Sequence, residues 1–300
     1  MTQTDTMVLA VRASGGKPRA NGRNLATLGL LLPSLLLLAS MFAYPLGTGI
    51  MQSFSDPTWG LDNYIWFFSS QANRDMLWRT LAVAGATTLF TLVIGYPYAY
   101  LMTLVGPTLR TVLLALVMLP FWVSALVRTF AWFVILQDAG ALNQLLAMLG
   151  LEPLHLIRTP MGVMIGMTQV LLPFMVLPLY NVLRGIDRRL LTAAESMGAR
   201  PASAFMRVFV PLSVPGIMSG AVIVFVTALG FYIFPALLGS PSEAMLSQAI
   251  FNETSRDLNF GHAGAIGVVL LLVLVAIALI GLLGMYLLRL RSRRLGKAEQ

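Results

Sequence analysis

Six stretches of this chain, residues 25–51, 80–104, 111–136, 160–183, 216–239 and 263–288, each stay apolar for more than 20 residues. A bilayer's hydrocarbon core is about 30 Å thick and needs roughly 20 helical residues to cross it. No water pairs the backbone there, so a segment this long and continuous crosses as a helix. Five of the six hold no formal charge, and the third holds one, Arg128. Of the 300 residues, 57% are hydrophobic and only 11% charged, whereas soluble domains carry about 25% charged residues. The fold class is therefore all-α integral membrane, with six transmembrane helices. The first apolar run exceeds a signal-peptide core and shows no cleavage site, so it reads as a retained span. Cysteine is absent, which excludes disulfides and thiolate metal sites.

Basic residues orient the spans. With the N-terminus inside, the inner segments hold 15 of the 20 lysines and arginines, and the outer side holds Arg74, Arg79, Arg128, Arg158 and Arg256. That asymmetry follows the positive-inside rule and places both termini in the cytoplasm. Trp59, Trp66, Trp78 and Trp132 fall near the outer boundary, where interfacial aromatics belong. The net charge of +8 is thus a topology signal, and nucleic acid is not an expected partner. The expected layout is an unstructured cytoplasmic tail over 1–24, a six-span domain over 25–290 and a second cytoplasmic tail over 291–300. Outside, Leu142, Leu145, Leu146 and Leu149 recur at the period of one short amphipathic helix.

One inner connection is large, and it contains "AAESMGARPASAFMRVFVPLSVPG", Ala193 to Gly216. Asp187 is placed to cap a helix over 188–197. Gly198 can take the left-handed conformation that ends it without Cβ strain. Pro201 suits the first turn of a second helix, where its missing N–H would be unpaired anyway. Phe205, Val208 and Phe209 share one side of that helix, and Pro211 and Pro215 are expected to turn the chain back toward the membrane. The product is a stiff two-helix elbow over about 184–215. A floppy loop cannot push a bundle, but a capped helix seated in a partner's groove can.

These residues resemble the "EAA" loop of binding-protein-dependent ABC importer permeases, whose pattern is Glu-Ala-Ala, three residues, Gly, nine residues, Ile-x-Leu-Pro. Here Ala193, Ala194, Gly198, Val208, Val210 and Pro211 hold that spacing. Thr192 stands where the family has Glu, and Glu195, one turn on, can partly replace it. "GYPYAYLMT" (95–103), "VRTFAWFVIL" (127–136), "LLPFMVLPLYNVLRGID" (171–187), "VPLSVPGIMSGAVIVF" (210–225) and "GFYIFPALLG" (230–239) are similar to the spermidine/putrescine-type branch. The resemblance covers about residues 25 to 288. It implies a core of spans two to six in a bacterial inner membrane. It also implies a second permease, here a different chain, two ATPase subunits below and a periplasmic or lipid-anchored solute-binding protein above. The coupling residues it implies are Thr192, Ala193, Ala194, Glu195, Gly198, Arg200 and Pro211. The solute that the resemblance implies is a polyamine or a related small organic molecule.

Other residues are candidates for the solute path. Tyr98, Trp122, Trp132, Phe231 and Tyr232 could offer aromatic faces to alkyl-ammonium groups, each worth about 0.5–2 kcal/mol, although span aromatics also simply pack. Arg128 lies 18 residues beyond Arg110, about 27 Å along a helix, which places it near the outer boundary. It either snorkels there or serves the path or its gating. Gly216 and Gly220 form a small-xxx-small pair suited to tight packing. His155 and His262 have no companions at metal-ligand spacing.

No Gly-x-x-x-x-Gly-Lys-Ser/Thr loop occurs, so this chain is expected to bind no cofactor, with ATP and magnesium held by the partner ATPase. The chain is a transport subunit rather than an enzyme. The alternative is a secondary transporter driven by an ion gradient, but such coupling usually places carboxylates within spans, and the six runs hold none. A membrane-embedded enzyme would need a metal set, a serine–histidine pair or a carboxylate dyad, and none is legible.

Overall fold

A computed structural model describes residues 20–298, with side chains described for residues 31–281 and 283. Residues 1–19 of the predicted N-terminal tail, including Arg12, Lys17 and Arg19, lie outside the described residues, as do residues 299–300 of the predicted C-terminal tail. All regular elements among the described residues are helical, and six helical segments are long and apolar enough to cross a membrane, one of which, Ala125–Met148, is interrupted by a turn over 137–140. Residues 1–51 and 52–300 form two units. The first holds most of helix α1 (Ala20–Ser55), which carries the first span.

The second unit begins with α2 (Asp62–Ser69), α3 (Gln71–Leu104), α4 (Pro107–Met118), α5 (Ala125–Leu136), α6 (Ala141–Met148) and α7 (Pro160–Leu183). It continues with α8 (Arg189–Ser196), α9 (Pro201–Ala204), α10 (Val210–Leu229), α11 (Ile233–Leu238), α12 (Leu246–Ser255) and α13 (Phe260–Ala298). The predicted amphipathic segment is α6. The last helix starts at Phe260 and its backbone runs on to Ala298, through most of the predicted tail.

Helix α7 is the hub, packed by α3 on one side and α10 on another. Lipid tails are as apolar as leucine, so helices here associate through close backbone approach rather than escape from water. Helix α3 accordingly turns a small-residue face inward, with Thr80, Ala84, Thr87, Thr91, Gly95 and Ala99 buried. Helix α10 does the same with Ser213, Gly216 and Gly220. A Cβ added at Gly220 would lie 2.7 Å from the Met175 sulfur and 3.1 Å from its carbonyl oxygen. The small-xxx-small pair is therefore a packing seam against α7.

Two predicted spans differ from what the chain forms. Span 111–136 is broken. Helix α4 ends at Met118, a 3₁₀ turn covers Leu119–Trp122, and Val123 and Ser124 are extended (ψ 134° and 138°) before α5 starts. Pro120 lacks the N–H that a continuous helix would use there. Both halves still run beside α7. Val117 shares a cluster with Val176 and Leu179, Phe121 meets Phe174 at 5.3 Å, and Leu136 shares a cluster with Val163. Arg128 lies one turn before Trp132, whose indole reaches Gln169 of α7. The straight-helix reckoning from Arg110 fails because the helix is not continuous.

Span 216–239 is also displaced. Helix α10 already begins at Val210 and ends at Leu229. Pro211 sits in its first turn and Pro215 lies within it, so neither proline turns the chain back. A first-turn proline gives up only an N–H that has no helical partner. The elbow's second helix is consequently continuous with this span.

Candidate functional site

The elbow between α7 and α10 is built as its sequence suggests, with one addition. The Asp187 carboxylate accepts the Arg189 N–H at 2.9 Å and holds the start of α8. At the other end Gly198 is left-handed, with φ +91°. Its N–H reaches Glu195 O at 2.9 Å, and the Ala199 N–H reaches Ala194 O at 3.1 Å. That pair of bonds is a Schellman stop, which satisfies carbonyls a helix end would otherwise leave bare. Pro201 then opens α9.

The addition is a π turn over Phe205–Phe209, between α9 and α10. One extra residue in the turn rotates the helix beyond it, and such bulges recur at functional sites. Here it lets Phe205 and Phe209 stack on each other at 5.3 Å, and each meets Tyr100 of α3 edge-on at 5.3 Å. Tyr96 closes the clamp with its hydroxyl 3.1 Å from Ser213 Oγ. Arg188 adds a second anchor, donating to both the carbonyl and the hydroxyl of Thr103 at 2.8 and 2.9 Å. The elbow is thus pinned to α3 at both of its helices. Ala194, Ala204 and Phe209 are buried beneath it.

Its outer surface is bare. Thr192, Ala193, Glu195, Gly198, Arg200 and Pro211 are all exposed. Met197 is 83% exposed and Met206 65% exposed.

The path candidates do not converge on one place within this chain. Tyr98 donates its hydroxyl to Leu113 O at 2.6 Å, bracing α3 against α4. Trp122 is 89% exposed at the break in span three. Trp132 donates to Gln169 Oε1 at 3.2 Å and lines an apolar cavity of about 300 Å³ with Phe90, Ile94 and Met164. Phe231 packs on Phe234 and accepts the Ser247 hydroxyl on its carbonyl at 2.6 Å. Tyr232 packs on Phe251 at 4.6 Å and borders a separate polar cavity of about 430 Å³ with Asn252 and Arg256. Arg128 is half-buried. Its Nη2 makes a 3.4 Å contact with Val123 O, while Nε and Nη1 are buried without a partner.

Sequence reasoning missed the π turn, the tyrosine clamp, Gln169 and the stack of His262 on Trp66 at 3.6 Å. Periodicity carries no signal for a single π turn. The tyrosines were readable only as part of "GYPYAYLMT". His155 and His262 pair instead with Asp138 and Glu253, at 2.8 and 3.3 Å, and no metal-binding group occurs among the described residues.

A helical core of small-residue seams, with a capped elbow clamped to α3 and continuous with α10, is the build of a membrane-transport subunit. The chain belongs to the family described as binding-protein-dependent transport system inner membrane component, which matches residues 91–297. It is an inner-membrane permease subunit of an ABC importer. It is 36% identical to the spermidine/putrescine transport system permease protein PotB of Haemophilus influenzae, over 81% of this chain and 85% of that protein. PotB of Escherichia coli is 33% identical over 80% of this chain and 87% of its own length. A solved bacterial ABC transporter that imports the acidic polysaccharide alginate shares the fold, with a TM-score of 0.69 and 21% identity, over 86% of this chain and 94% of that one.

Proposed function

We propose that this permease carries a polyamine, putrescine or spermidine, or a closely related small organic solute into the cytoplasm. The support is its identity to PotB proteins along about four-fifths of its length. In this reading it pairs with a second, different permease chain and two ATPase subunits, which bind ATP and magnesium. A periplasmic or lipid-anchored binding protein delivers the solute, and both termini are cytoplasmic.

The observation that carries the mechanism is the elbow's asymmetry. Its inner side is clamped to α3 and continuous with α10, whereas its outer side presents Met197, Met206, Glu195 and Arg200 to a partner. Closure of the ATPase pair pushes that outer side, and the clamp passes the displacement to α3, α7 and α10. Thr192 and Glu195 supply the polar contact that a glutamate makes in relatives. Arg128 lies beside the break in span three, where a charge costs about 2.5–3.5 kcal/mol and usually faces a cavity. It repels a cationic solute onward rather than binding it. Trp122, Trp132 and Tyr232 offer faces to the solute, whereas Tyr98 and Phe231 brace the helices that carry them.

Purification of the assembled complex, followed by uptake of labelled putrescine and spermidine into proteoliposomes, tests this. ATP-dependent uptake of either is expected. Uptake driven by a proton gradient without any ATPase subunit would refute it.

A further inference from the structure

Arg110, Arg184 and Arg188 converge around a polar cavity of about 350 Å³, where α3 and α7 end and the elbow begins. Two of the three also hold helix ends. Arg110 donates to Met102 O and Val105 O at 3.2 Å, and Arg188 donates to Thr103. Arg184 lies over the Tyr180 ring at 5.9 Å. No carboxylate among the described residues comes within ion-pair distance of any of them.

The charge does not balance locally. Each helix C-terminus is worth about −0.5 charge. Two such ends set against three guanidiniums leave roughly two positive charges at one point. Arg184 and Arg188 are exposed, so their remaining N–H groups are free to reach a ligand. Guanidinium forks match carboxylate and phosphate oxygens in bidentate fashion, and at a membrane surface basic clusters meet anionic lipid headgroups. Beside the cavity the surface turns apolar, with Leu101, Leu104, Leu109 and Val112 exposed. A ligand with an anionic head and hydrocarbon tails fits both halves of this surface.

We propose that this cavity binds the phosphate of an anionic phospholipid at the membrane boundary on the elbow's side, with the acyl chains lying along α3 and α4. Bound there, one phosphate bridges Arg110 beyond the end of α3 to Arg184 and Arg188 at the root of the elbow. The lipid thereby stiffens the joint through which the elbow moves the spans. The assignment rests on the membrane location alone and not on the solute or on ATP coupling.

The test uses the assembled transporter in nanodiscs of phosphatidylcholine alone or mixed with phosphatidylglycerol, with retained lipid counted by native mass spectrometry. Arg184 caps α7 only through its backbone N–H, which glutamine keeps, so Arg184→Gln is expected to leave the fold in place. It is expected to lower phosphatidylglycerol retention about fivefold, since one basic residue near the surface contributes about 1 kcal/mol. Arg184→Gln with Arg188→Gln should lower it about 25-fold by the same reckoning, and Arg184→Lys should retain most of it. Unchanged retention in both glutamine variants would overturn the site. So would equal displacement of the lipid by inorganic phosphate, which would make the ligand a soluble anion. Loss of the ATPase subunit from Arg184→Gln at unchanged lipid retention would assign the arginines to a protein carboxylate instead. Uptake per ATP, read separately, reports the coupling role and is independent of these counts.

Discussion

Replacing Gly198 by other residues strains the elbow where α8 gives way to α9. Its φ of +91° lies in the left-handed region, where an L-residue costs about 1–2 kcal/mol and a β-branched one more. A Cβ at this position meets nothing within 4 Å. The penalty is therefore backbone conformation alone, undiluted by any clash. For alanine, about 1–2 kcal/mol lowers the ratio of native to relaxed elbow by about five- to thirtyfold. Valine exceeds that, while asparagine tolerates the left-handed region and stays near glycine. The seams of α3, α7 and α10 lie elsewhere, so membrane insertion and yield should hold for all three variants. The assay is solute taken up per ATP hydrolysed, in proteoliposomes holding the whole complex. The expected order is Gly and Asn together, then Ala, then Val, with ATP hydrolysis persisting as uptake falls. Wild-type coupling in Gly198→Val, or asparagine as poor as valine, would refute the reasoning.

The tyrosine clamp makes a second prediction. Tyr100→Ala removes two edge-on contacts, each worth about 0.5–1.5 kcal/mol, and should lower uptake per ATP while the protein still inserts. Tyr96→Phe keeps the ring, loses only the Ser213 hydrogen bond and should cost about 1 kcal/mol; thermal unfolding of the purified complex ranks the two. Gly220→Val forces a side chain onto Met175, and overpacking of about 1–3 kcal/mol should cut the yield of folded protein before transport is measured. Arg128→Gln should insert at least as well as the parent, because a span charge is removed, yet alter uptake; unchanged uptake would make the residue a bystander.

Much of the elbow was legible in the sequence because capping is local. Asp187, Gly198 and Pro201 act on neighbours within a turn or two, so their spacing alone predicts what they do. The helical class was legible for a similar reason. A slab of hydrocarbon about 30 Å thick demands apolar runs of roughly 20 residues, and that length can be counted without knowing what packs where. Pro211 and Pro215 misled because proline's meaning depends on whether it stands in a helix's first turn, inside the helix or beyond its end.

Neighbouring residues alone specify the apolar runs, the Gly216–Gly220 seam and the helix caps. Packing between helices settled what periodicity left open: Phe121 meets Phe174 beside the break in span three, Trp132 reaches Gln169, and a π turn aims Phe205 and Phe209 at Tyr100. Those outcomes depend on surfaces brought together from residues more than 30 positions apart. In lipid the close fit of such surfaces, not escape from water, selects one arrangement among many that equally satisfy the apolar pattern.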